Sequence, residues 1–156
     1  MNKALLVALV LLPLAAAAQH ETPPGVDPNA PLQPLPDRKD VVSWRTFAQV
    51  ELIKQKDRYV PQFSPAIAAL DQKEVKIQGF MLPLEMGEKQ SHFVLAAMPV
   101  TCAFCLPGGP ESMVEVKMKT PVKYSFDALV VTGKLAVMKD DPTGMFYRIV
   151  DAVPAK

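Results

Sequence analysis

Val75-Lys76-Ile77-Gln78-Gly79-Phe80-Met81 is the stretch on which the fold turns. Val75, Ile77, Gly79 and Met81 alternate with Lys76, Gln78 and Phe80, a period of two that reads as a β-strand with one buried face. Gly79 in mid-strand predicts a bend or bulge where the strand coils. Downstream, Glu85 to Ser91 with Gly87 reads as a hairpin-like loop, and Phe93 to Met98 as a fully apolar, buried strand ended by Pro99. Met113 to Met118 alternates again, with Glu115 and Lys117 on its polar face, and Thr120-Pro121 is expected to break it. Leu129 to Met138 is a long strand carrying Gly133. Asp140-Asp141-Pro142-Thr143-Gly144 is a turn signal, and Met145 to Val150 forms the last strand.

Upstream, Ser43 can cap a helix whose apolar face is Trp44, Phe47 and Val50, extending to Leu52 and Ile53. Pro61 and Pro65 stop its continuation. Phe63-Ser64-Pro65-Ala66-Ile67 predicts a second helical turn, with Ser64 as cap and Pro65 at the first helical position, setting Phe63, Ile67 and Leu70 onto the sheet. Five strands with internal glycines after one helix predict a mainly β fold, a five-stranded OB-like barrel with an N-terminal helix over residues 41–153. A small open sandwich is the alternative arrangement. The helix usual between the third and fourth OB strands has little room between Lys119 and Phe126.

The flanks speak about compartment. In Met1 to Ala18, Lys3 supplies a basic start and Ala4 to Leu14 an apolar run too short to span a bilayer. Ala16-Ala17-Ala18 follows as a cleavage signature. A secretory signal peptide over 1–18 is expected, with cleavage before Gln19. No later segment is long and apolar enough to insert in a membrane after that cleavage. Six of the fourteen residues from Pro23 to Pro36 are proline, so residues 19–40 are expected to be a disordered or polyproline-II spacer. Removing the leader takes Lys3 from 17 basic residues, leaving 16 against 16 acidic. A net charge near zero excludes the footprint of a nucleic-acid binder. The leader points to an oxidising compartment, most simply a bacterial periplasm.

Two cysteines exclude a multi-bridge disulfide scaffold and a four-thiolate zinc site. Thr101-Cys102-Ala103-Phe104-Cys105-Leu106-Pro107-Gly108-Gly109-Pro110 is the most unusual stretch. Cys102 and Cys105 can form half of a tetrahedral zinc site, and thiolates also suit copper(I). His92 is the histidine nearest to them, at the start of the strand leading into the loop. Met81, Met98 and Met113 are nearby thioether donors. The same pair can cycle between dithiol and disulfide, although the β context differs from that of thioredoxin. It can equally be a structural disulfide, though so small a ring gains little from closure. Pro107-Gly108-Gly109-Pro110 lacks the Lys-Ser/Thr of a phosphate loop.

Elsewhere, His20 beside the expected new N-terminus is a weak copper(II) or nickel(II) ligand or simply a terminal residue. Asp140-Asp141 is explained by turn chemistry. Glu85, Glu88 and Glu111 read as solvated loop carboxylates. No Ser/His/Asp set and no Gly-x-Ser-x-Gly is present, so the chain is expected not to be an enzyme.

Phe63-Ser64-Pro65-Ala66-Ile67, Val75 to Leu84, Cys102-Ala103-Phe104-Cys105 and Gly108-Gly109-Pro110-Glu111 together resemble an uncharacterised family of small bacterial periplasmic proteins, over about residues 43 to 152. Some of its members are encoded beside zinc-responsive ABC-type transporters. The resemblance implies a role in divalent-metal homeostasis, with no reaction and no catalytic residue. The histidine-rich tracts of dedicated zinc carriers are missing, which points to an accessory role. The expectation is a periplasmic accessory protein that binds zinc or copper through Cys102, Cys105 and His92. Its partner would be an ABC-type metal transporter or another periplasmic protein. The alternatives are a protein-binding module with a structural disulfide, and a thiol–disulfide redox protein.

Overall fold

The structure, a computed structural model, describes residues 35–36, 38–99 and 108–156. The expected signal peptide, nearly all of the proline-rich segment and both cysteines lie outside the described residues. From residue 44 the order is α1 (Trp44–Phe47), β1 (Val50–Gln55), β2 (Arg58–Phe63), α2 (Pro65–Ala68), β3 (Glu74–Pro83), β4 (Lys89–Ala96), a 3-10 turn (Pro110–Ser112), β5 (Met113–Lys123), β6 (Leu129–Val137) and β7 (Tyr147–Pro154). Among the described residues no helix is long and apolar enough to cross a membrane.

β3 to β7 close into a barrel in the order β3-β4-β5-β7-β6. All neighbours are antiparallel except β5 and β7, which run parallel. Counted from β3 this is the order 1-2-3-5-4, closing on 1, and the fold is a mainly β, OB-like barrel. No helix is inserted between β5 and β6, in keeping with the short link there.

β3 does this by changing partner. Its first half pairs with β6, ending at Gly79 opposite Leu129, and its second half pairs with β4, beginning at Phe80 opposite Ala96. A Cβ at Gly79 would lie 2.9 Å from the Ala96 carbonyl oxygen and 3.2 Å from Leu95 Cβ. The expected bend is therefore a pivot that only glycine fits. On the side of β3 away from β6, Val42 N–H donates to Lys76 O and the Trp44 indole donates to Gln78 O, both at 2.8 Å. Those bonds cover an edge that would otherwise be open.

The N-terminal helix is shorter than its pattern promised. Ser43 caps it through Arg45 N–H at 3.2 Å, but it ends at Phe47. Val50, Leu52 and Ile53, read as a continuing helical face, instead open a two-stranded ribbon in which Ile53 faces Val60 and Leu52 faces Pro61. Spacing of three and four in so short a run fits both periods, and β-branched Val50, Ile53 and Val60 favour the strand. Pro61 is tolerated because a two-stranded ribbon consists only of edge strands. The barrel thus has its five strands, and the domain has seven. β5 also runs past Thr120-Pro121 to Lys123, with a register irregularity there that accommodates the proline. β4 begins at Lys89, earlier than read, and β7 ends at Pro154, later than read.

α2 forms as expected, with Ser64 Oγ accepting from Ile67 N–H at 3.3 Å and Pro65 at its first position. Ile67 is fully buried, with Phe63 and Leu70 packed against the same core. Inward-facing Ile77, Phe93, Leu95, Val114, Val116, Val131, Leu135 and Ile149 fill the barrel. One end is plugged by rings: Phe47 lies 4.7 Å from Tyr147, which lies 5.7 Å from Phe63, which meets Phe146 edge-on at 5.9 Å.

Candidate functional site

The link from β4 to β5 carries the cysteines, and its two stems are built into that plugged end. Ala97 N–H donates to Ser112 O at 3.1 Å, closing the stems next to the last rung of the ladder, Ala96 opposite Met113. The returning stem is a tight glycine turn. Gly108 has φ +132°, a conformation side chains rarely adopt, and a Cβ there would lie 2.9 Å from Ser112 Oγ. The Glu111 carboxylate folds back over Gly109, leaving no space for a Cβ there either. Gly108 and Gly109 thus shape the described part of the returning stem. Beneath it, Tyr147 is fully buried and its hydroxyl donates to Phe47 O at 2.7 Å. Burial, and the nearby Glu111 charge, push that hydroxyl well above its ordinary value. It remains a proton donor tying β7 to α1.

His92 lies on the outer wall. It pairs with Lys117 across the ladder, while the loop begins after Ala96, four residues further along β4. At ~3.3 Å per residue His92 is about 13 Å from the loop's base. Its Nε2 lies 2.7 Å from Glu115 Oε1. Glu115 is 7% exposed although it sits on the polar face of β5. Arg148 Nε donates to its other oxygen, and Lys117 Nζ stands 3.8 Å away. Arg148 also donates to Asp141 Oδ1 at 3.1 Å, and Asp141 in turn accepts from the Thr143 backbone and hydroxyl. Burial by itself would raise the Glu115 carboxyl. Hydrogen bonds from His92 and Arg148, with the charges of Arg148 and Lys117, outweigh it and hold the group below its usual range. Asp141 is lowered chiefly by the Thr143 hydroxyl, and Arg148 is raised, its two carboxylate partners outweighing its burial.

Chemically, a carboxylate on Nε2 orients the imidazole and leaves Nδ1 as the lone-pair nitrogen of the neutral ring. Ligating histidines are commonly held in this way. No group of three or more His, Cys, Asp or Glu side chains able to hold a metal occurs among the described residues. His92 is thus brought to Glu115, and the structure does not bring it to the loop stems. The thioethers are dispersed: Met81 is in the barrel core, Met113 is buried at the ladder's end, and Met98 is half exposed on the loop stem. Glu115, Arg148 and Asp141 were not singled out by sequence. The available signal was the alternation that put Glu115 on the same outer face as His92, but partners on β7 and its preceding turn are visible only once the barrel closes.

No curated protein matches the chain. A solved structure, that of a DUF3299 family protein from Pseudomonas aeruginosa PAO1, is similar at 25% identity with a TM-score of 0.47. The match covers 56% of this chain and 64% of that one, so this chain spans less than two thirds of its length. Residues 35–147 match the family described as protein of unknown function (DUF3299), which takes in both short helices, the ribbon and the barrel strands β3 to β6, ending at the first residue of β7. The chain therefore belongs to the DUF3299 family of proteins of unknown function.

Proposed function

We propose that this protein is an exported, non-enzymatic accessory of zinc or copper handling. It holds zinc or copper(I) through Cys102 and Cys105 and passes it to a periplasmic partner such as an ABC-type metal transporter. One observation carries the reading: the Cys-x-x-Cys sequence falls between stems closed by the Ala97–Ser112 hydrogen bond, beyond the last rung of the β4–β5 ladder. A pair placed there is not needed to hold the wall, because the ladder, the glycine turn and the aromatic plug already fix that end. Two thiolates form an incomplete, open ligand set suited to handing a metal on. His92, oriented by Glu115, is the third donor if the loop returns along β4.

Titration of the reduced protein with zinc or copper(I), read by native mass spectrometry, tests this. One ion retained per chain, and none retained by Cys102→Ser with Cys105→Ser, is the expected result. His92→Ala is expected to weaken retention about tenfold or more. Free thiols with no metal above background would overturn the proposal. So would a disulfide that persists in the protein recovered from the cell, which would make the pair a structural clip.

A further inference from the structure

The other end of the β4–β5 ladder carries features that metal handling does not use. There the loops 84–88 and 124–128 meet: Tyr124 N–H donates to Glu88 O at 2.8 Å, and the Tyr124 and Phe126 rings pack edge-on at 5.0 Å. Leu84 is 53% exposed, Phe126 49% and Met86 completely. These side chains are held out by a pinned scaffold. Glu85 accepts from the backbone N–H groups of Ser91 and His92 at 2.9 and 3.1 Å, and buried Gln90 donates to Gly87 O at 2.6 Å. Keeping three large apolar groups in water on an anchored tip is a feature that needs an occupant.

The adjoining wall is basic. Met118 and Val122 pack into the core, so strand alternation turns Lys117, Lys119 and Lys123 outward. Lys89 stands directly opposite Lys123 in register, a like-charge pair that is unfavourable by itself. Among the described residues Lys89, Lys119 and Lys123 have no ion-pair partner. Of the nearby acids, Glu85 is turned back onto Ser91 and His92, and Glu115 is taken up by His92 and Arg148. Glu88 and Asp127 are left at the rim.

We propose that this end of the barrel docks on an anionic lipid surface without spanning it. Leu84, Met86 and Phe126 enter the interface, and the lysines reach lipid phosphates along their flexible stems. Met86 projects wholly free from the tip. A bilayer surface receives such a projection as it is, whereas an acidic protein would need a pocket shaped to each side chain. The lysine wall supplies the charge complementarity. Because β5 runs from Met113, at the base of the returning stem, to the tip, roughly 30 Å at ~3.3 Å per residue, docking would hold that stem base away from the bilayer.

The test is vesicle flotation of the protein lacking residues 1–18, since every described element, from Trp44 to Pro154, lies beyond them. Phosphatidylglycerol in phosphatidylcholine is compared with phosphatidylcholine alone. Association with the anionic vesicles only, weakening with salt, is expected. Lys119→Gln with Lys123→Gln should lower it roughly 25-fold, taking ~1 kcal/mol, or about fivefold, per lysine. Met86→Ser with Phe126→Ser should lower it about tenfold or more, with an unchanged melting midpoint for both variants. No association with anionic vesicles would overturn the proposal, as would association that both double variants leave intact. Capture of poly-glutamate in the absence of vesicle binding would assign the face to an acidic protein and overturn it too.

Discussion

Glu115 is a carboxylate nearly sealed from water, and it stays ionised because Arg148, Lys117 and the His92 ring converge on it. Its folded-state proton affinity lies below that of an unfolded carboxylate. It therefore contributes stability that is fully present above the ordinary carboxylate range and is lost as pH falls through its lowered folded value. Asp141 has the same sign. Urea midpoints measured from neutral pH to about pH 3 should fall, and Glu115→Gln should flatten that fall. At neutral pH, Glu115→Ala should cost about 2–4 kcal/mol, because Arg148 loses its best partner while half-buried. A variant as stable as the parent would show that the network carries no net energy. Gly79 is the other decisive residue. Gly79→Ala forces a Cβ against the Ala96 carbonyl oxygen, a backbone atom that cannot move aside cheaply, with Leu95 Cβ and the Trp44 ring close by. A loss of about 1–3 kcal/mol in denaturant unfolding is expected.

Among the elements, β7 depends on a local irregularity. Ile149 and Ala152 both face the core, with two residues between them instead of one, and Asp151 absorbs the difference at φ +54°. Aspartate tolerates that conformation and a β-branched residue does not. Asp151→Val should lower stability by about 1–2 kcal/mol while Asp151→Gly leaves it unchanged or higher, measured as thermal midpoints. Equal losses in both would show that the side chain matters, not the backbone. The elements also show where local pattern is decisive and where it is not. β3 and β6 were legible because period-two alternation persists over many residues. The ribbon was not, because Val50 to Ile53 fits either period and only its pairing with Arg58–Phe63 settles the matter. Thr120-Pro121 looked like a strand end, yet β5 carries it as an irregularity, since the register there shifts between Lys117 and Val122.

For the whole molecule, the barrel separates two ends: a plugged one that bears the cysteine loop, and an apolar tip beside a lysine wall. The mainly β class, the five barrel strands, the pivot at Gly79 and the caps of both short helices were determined by the sequence itself. Each rests on short-range physics: alternation, turn residues and side-chain caps act over a few neighbours. The Glu115 network, the covering of the open edge of β3 by Val42 and Trp44, and the gathering of Lys89 with Lys119 and Lys123 were decided only by the tertiary structure. A near-zero total of charges conceals how they are distributed. Distribution follows from which strands become neighbours when the sheet closes, and that closure joins residues too far apart in the chain for any local pattern to relate them.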